Sequence, residues 1–192
     1  MALHRLLGSL LLAGAVSLSS VASSADPCAE RGDAVVRAAA GYIGVREATG
    51  RNDGEQVEHI LGRVGLGPGY SWCGAFVYVG CADAGVDLPG GARQFAWAPS
   101  WHPAQRRVWQ RSRGVNPRWQ GRGQRLPMPG DVFGVYYSKL GRIGHVGIVE
   151  RWGATVITIE GNTSSGGSRD GDGVYRRRRL ADQLYCVSRW HC

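Results

Sequence analysis

Cys73, His145, Glu160 and Asn162 are residue types that together carry out nucleophilic attack on a carbonyl carbon. Cys73 sits in Tyr70-Ser71-Trp72-Cys73-Gly74-Ala75-Phe76-Val77, after a glycine-rich loop and at the start of an apolar, helix-like run. A thiol placed there faces unpaired N–H groups and the positive end of the helix dipole, which favour the nucleophilic thiolate. Such chemistry needs an imidazole to keep the thiol deprotonated and to protonate the leaving amine. It also needs a third polar group to fix the ring. His145 and Glu160 fill those roles, and Asn162 is placed to orient the ring or bind substrate. The Cys73 N–H is a candidate oxyanion donor. Each residue alone has a plain structural explanation: a buried small thiol, a core histidine, a strand-end charge, a turn asparagine.

The case for the set is its register. The segment Gly144–Arg151 turns at Trp152-Gly153 and returns as Ala154–Glu160. A two-residue turn sets Arg151 against Ala154, Val149 against Val156 and His145 against Glu160. Directly opposed side chains share a face with Cβ atoms about 4.5–5.5 Å apart. Asn162 returns to that face if the strand continues. A third turn residue or a bulge would break the parity.

Other elements must position this set. Helical spacing predicts helices over Asp33–Tyr42, Gly54–Val64 and about Trp72–Ala84, the last with Cys73, Val77, Gly80, Cys81 and Ala84 as its inner stripe. From Asp131 the period is two, predicting strands over Val132–Tyr137, Gly144–Arg151, Thr155–Glu160, Val174–Arg179 and Leu184–Trp190. Helices first and strands later indicate an α+β fold with an antiparallel sheet. Gly90–Pro129 has no clear period and is expected to hold short helical pieces. Its Trp97, Trp101, Trp109 and Trp119 either cover a small core or wall a sugar- or peptide-binding groove, where arginine forks meet carboxylates. Tyr70, Trp72, Trp97 and Trp101 are the candidate substrate-binding aromatics.

Residues 1–25 read as an export signal: a positive start at His4 and Arg5, an apolar Leu6–Leu18 too short to span a bilayer, and small residues before Asp26. Residues 26–192 then form one domain, secreted or periplasmic, without a membrane span and monomeric. The net charge of +8 comes almost wholly from arginine and suits anionic wall polymers. No nucleic-acid motif is present. The run Arg176–Arg179 reads as a solvated strand or edge. With Cys73 reserved, Cys28, Cys81, Cys186 and Cys192 allow several pairings, a bridge between the termini being preferred and Cys81 equally suited to the core. No spacing fits a zinc or calcium site, and no cofactor is expected.

The Cys73 segment, Pro129-Gly130-Asp131-Val132-Phe133, Gly144-His145-Val146-Gly147-Ile148-Val149 and Ile159-Glu160-Gly161-Asn162 resemble, in order and rough spacing, the motifs of CHAP domains, the cysteine- and histidine-dependent amidohydrolase/peptidases. The resemblance implies a papain-like fold and cleavage of peptidoglycan amides, either N-acetylmuramoyl-L-alanine or a stem or cross-bridge bond. It further implies Cys73 as nucleophile, His145 as base, and Glu160 and Asn162 as supporting groups. Two other expectations compete: a basic wall-binding module without turnover, and a toxin-like protease or amidase acting on another partner.

Overall fold

The computed structural model describes residues 26–111, 125–165 and 171–192. The expected export signal and Trp119 lie outside these residues. Helix α1 (Pro27–Ala40) starts six residues before the expected position. The signal for this start was local. Asp26 caps the helix by accepting from the Cys28 N–H at 2.9 Å, and Pro27 occupies the first turn, where a missing N–H costs nothing. Helix α2 (Glu55–Gly62) buries Val57, Ile60 and Leu61.

Helix α3 (Cys73–Asp83) is buried on nearly every side rather than along one stripe. A helix apolar all round must be enclosed, and α1, two strands and the 3-10 turn Ala92–Ala96 enclose this one. Gly74 lets that turn approach, since a Cβ there would lie 2.5 Å from the Phe95 carbonyl oxygen.

Among the described residues six strands form one sheet: β1 (Arg107–Gln110), β2 (Val132–Tyr137), β3 (Arg142–Arg151), β4 (Thr155–Thr163), β5 (Gly173–Leu180) and β6 (Cys186–Ser188). Their order is β1-β6-β2-β3-β4-β5, with antiparallel neighbours throughout. This is the α+β, papain-like arrangement expected, with N-terminal helices packed on an antiparallel sheet. The aperiodic segment supplies three 3-10 turns, as expected, and also β1. A four-residue strand between arginines is too short to show a period.

One face of the sheet meets the helices through Val132, Val146, Ile148 and Ile159. The other carries a smaller core of Val108, Trp109, Phe133, Val149, Val156, Leu184 and Val187. A disulfide joins Cys28 to Cys192, tying α1 to the last residue. Cys81 and Cys186 are buried free thiols, and burial pushes both up to about 12. Among the described residues no helix is long and apolar enough to cross a membrane.

Candidate active site

The β3–β4 pairing departs from the simple hairpin. Val149 lies opposite Thr158 and Ile148 opposite Ile159, with a bulge between Val149 and Arg151. The longer turn and the bulge together move the register by two residues. Because the side-chain period is two, the faces are kept. Extended along β3, this register sets Glu160 opposite Gly147 and makes it the diagonal neighbour of His145, a distance that long side chains bridge. Gly147 is what allows the diagonal. A Cβ there would lie 2.7 Å from the Phe133 ring and 3.0 Å from Glu160 Cγ.

His145 Nε2 lies 2.8 Å from Glu160 Oε2, and both residues are buried. The carboxylate is gripped from two further sides. Thr158 donates its hydroxyl to Oε1 at 2.5 Å, and Arg179 donates in bidentate fashion, Nε to Oε1 and an Nη to Oε2, each at 2.6 Å. Burial alone would raise Glu160. The Arg179 and His145 hydrogen bonds and charges outweigh it and hold the carboxyl far below the usual range. Glu160 is therefore a fixed anion, and a fixed anion on Nε2 selects the tautomer and pose of the ring.

Arg179 corrects the reading of Arg176–Arg179 as a solvated edge. Arg176 fits that reading, being exposed and paired with Glu150. The Arg179 side chain is only 11 % exposed. Alternation along β5 turns it inward, a distinction invisible in four identical letters.

Cys73 opens α3 and is 6 % exposed. Burial pushes its thiol up. The nearby His145 imidazole, with the N–H groups of Val146 and Gly74, overcomes that and holds it below the ordinary value. For His145, burial pushes down, whereas the Cys73 and Glu160 hydrogen bonds and charges hold the imidazole up at about 9. His145 Nδ1, the nitrogen not taken by Glu160, has no hydrogen bond of standard geometry among the described residues. Thiol–imidazole contacts are commonly loose before substrate arrives. The arrangement thus favours the thiolate–imidazolium pair over the neutral thiol and imidazole.

Asn162 makes its hydrogen bonds away from the ring. Its Oδ1 accepts the Trp72 N–H at 3.2 Å, and its Nδ2 donates to Asn52 Oδ1 at 2.9 Å and to Glu47 Oε1 at 3.3 Å. Asn162 and Asn52 are the non-glycine residues with positive φ among the described ones, at 53° and 57°. Strain of this kind persists only where surroundings over-determine it, and here it braces the peptide that opens α3. Glu47 completes the brace by accepting the Trp72 indole N–H at 2.9 Å.

The four candidate aromatics separate cleanly. Tyr70 and Trp97, each 56 % exposed, line an open cleft of about 330 Å³ together with Cys73, Arg93, Arg142 and Asn162. Trp72 and Trp101 are fully buried and are structural. Trp101 lies tilted against Phe95 and edge-to-face with Trp190, with centroids 4.7 and 5.7 Å away, and donates its indole N–H to the Phe95 carbonyl. His59 is on the surface. His102 is buried beside Ser188, and burial lowers it to about 3, so it stays neutral. Among the described residues, Cys28, His191 and Cys192 form the cluster with metal-ligand atoms, but their two sulfurs are bonded to each other.

A family model of the CHAP domain matches residues 65–162, just over half of the chain. No curated protein and no solved structure matches. The matched span contains Cys73, His145, Glu160 and Asn162, whereas Arg179, Glu47 and Asn52 lie outside it. By this match, and by the thiol, imidazole and carboxylate that the fold brings together, the chain belongs to the CHAP domain family, in general peptidoglycan amidohydrolases and peptidases dependent on cysteine and histidine.

Proposed function

We propose that the protein is an exported thiol hydrolase that cuts amide bonds of peptidoglycan. The observation that carries this reading is a free thiol lining an open cleft, beside an imidazole whose far nitrogen meets a fixed carboxylate. The Cys73 thiolate attacks the amide carbonyl carbon, and first-turn N–H groups of α3 receive the oxyanion. As the tetrahedral species collapses, the C–N bond breaks and the His145 imidazolium gives its proton to the leaving amine. Water then attacks the thioester while His145 takes a proton, releasing a carboxylic acid and restoring the thiolate. Glu160 stabilises the imidazolium throughout. Arg179 is a positioning residue that fixes Glu160.

The cleft supports an acidic peptide as substrate. Arg93 and Arg142 line it, each held by a carbonyl oxygen, that of Gly65 at 2.6 Å and that of Ile143 at 3.0 Å. Such arginines remain charged and preset for a carboxylate. Trp97 and Tyr70 offer flat apolar faces to sugar or peptide. The test is digestion of purified cell-wall sacculi with residues 26–192, followed by mass spectrometry of the fragments. New amino termini absent from a Cys73→Ala digest are expected, and fragment masses identify the bond. Equal release by that variant would overturn the reading.

A further inference from the structure

A second concavity, of about 260 Å³, lies at the β1–β6 edge of the sheet. Two strands, β6 and β2, separate β1 from β3, so it stands roughly 14 Å along the sheet from the His145 strand at the usual strand spacing. Gln105, Arg106, Arg107, Val108, Arg125, Arg189 and Cys192 line it. No lining residue is acidic. The sequence carries no Asp or Glu between Asp87 and Asp131, so nothing from that stretch neutralises the site.

What holds these arginines matters more than their number. Arg189 is neutralised, bonding Asp131 at 2.8 and 2.9 Å. Arg107 is held by the His102 carbonyl at 3.0 Å and by Gln110 at 3.2 Å. Arg125 is pinned through its main chain, its N–H donating to the Val108 carbonyl at 3.0 Å. Arg106 reaches the main-chain oxygen of Cys192 at 3.3 Å and stacks over the Trp190 ring. Even if that oxygen carries charge, Arg107 and Arg125 have no acidic partner among the described residues. The carbonyl and amide oxygens fix the Arg107 guanidinium without cancelling its charge, and Arg125 is anchored beside it at its main chain. The result is a preset anion site whose positive potential is not spent within the protein.

We propose that this concavity binds phosphate groups of an anionic polyol- or sugar-phosphate polymer, holding the protein on a phosphate-bearing wall surface. A tetrahedral phosphate offers acceptor oxygens on several sides, so more than one guanidinium fork can engage a single group. Among the described residues the lining offers Val108 as its apolar side chain and no aromatic face on which a nucleobase could stack. The site does not use Cys73, and its failure is therefore separable from failure of the catalytic reading.

The test is titration of residues 26–192 with a glycerol-phosphate oligomer, with inorganic phosphate and with a single-stranded oligonucleotide of equal phosphate count, all at one salt concentration. The Arg107→Gln/Arg125→Glu variant is expected to bind the glycerol-phosphate oligomer at least tenfold more weakly. Cys73→Ala is expected to bind it like the parent. Arg125→Glu alone, at an exposed side chain, is expected to weaken binding several-fold with melting unchanged, so that misfolding of the double variant does not decide the matter. Unchanged binding in both variants overturns the proposal. An oligonucleotide bound as tightly as the glycerol-phosphate oligomer makes the site a nucleic-acid surface instead, and inorganic phosphate bound as tightly makes it a free-ion site. Either result overturns the identification of the polymer.

Discussion

The protein contains the same side-chain set twice. Buried Glu160 accepts from His145 Nε2 and from both donors of the Arg179 fork. Buried Asp131 accepts from His191 Nε2 at 3.1 Å and from both donors of the Arg189 fork. The sets part at the other ring nitrogen. His145 Nδ1 is left for a free thiol at the margin of a cleft. His191 Nδ1 meets the Cys28 carbonyl at 3.1 Å, beside a sulfur already bonded to another. An acid–histidine–arginine cluster is thus a way of burying charge with every partner supplied. Chemistry begins where the ring's second nitrogen faces a nucleophile that substrate can reach.

The contrast can be broken most severely at the sulfurs. Cys73→Ala should lower hydrolysis by about 10³-fold or more with little change in melting, because members of a nucleophile–base unit fail together. Cys28→Ser at the other set should instead cost about 2–5 kcal/mol of stability in denaturant melts, since it releases a loop of sequence separation 164. If Cys28→Ser matched Cys73→Ala in lost turnover with its fold intact, the two sets would not differ as argued.

The arginines give a finer cut. Arg179→Gln should lower kcat/KM about tenfold, as Glu160 loses its bidentate hold. It should also move the basic limb of the pH profile upward, because a cation near the imidazolium has gone and the proton is held more firmly. Arg189→Gln should change melting without moving that limb. The smallest effect is the profile of the parent protein. Activity should fall on the acid side only below the ordinary thiol range, where Cys73 regains its proton, and on the alkaline side near about 9, where His145 loses the proton the leaving amine needs. A profile that rises steadily through pH 10 would mean that no imidazolium is required.

Much of this was legible in the chain. The helix start at Cys73 and the two-residue period after Asp131 follow from local spacing alone, and the expected shared face of His145 and Glu160 holds although the pairing behind it does not. The register was not legible. The turn and the bulge each displace it, and only their sum of two preserves the face. Arg179 was hidden because strand alternation, not residue type, separates it from Arg176. Trp72 and Trp101 read like Tyr70 and Trp97, for only packing decides which ring is walled in. The brace of Asn162, Asn52 and Glu47 joins residues more than a hundred positions apart, a juxtaposition no local pattern encodes.

The link between Cys28 and Cys192 also governs what damage does to this molecule. A single proteolytic nick anywhere between them yields two pieces that stay covalently attached, each still carrying its share of the sheet or helices. Such nicked protein would migrate undivided on a non-reducing gel and fall apart only when a reductant is added.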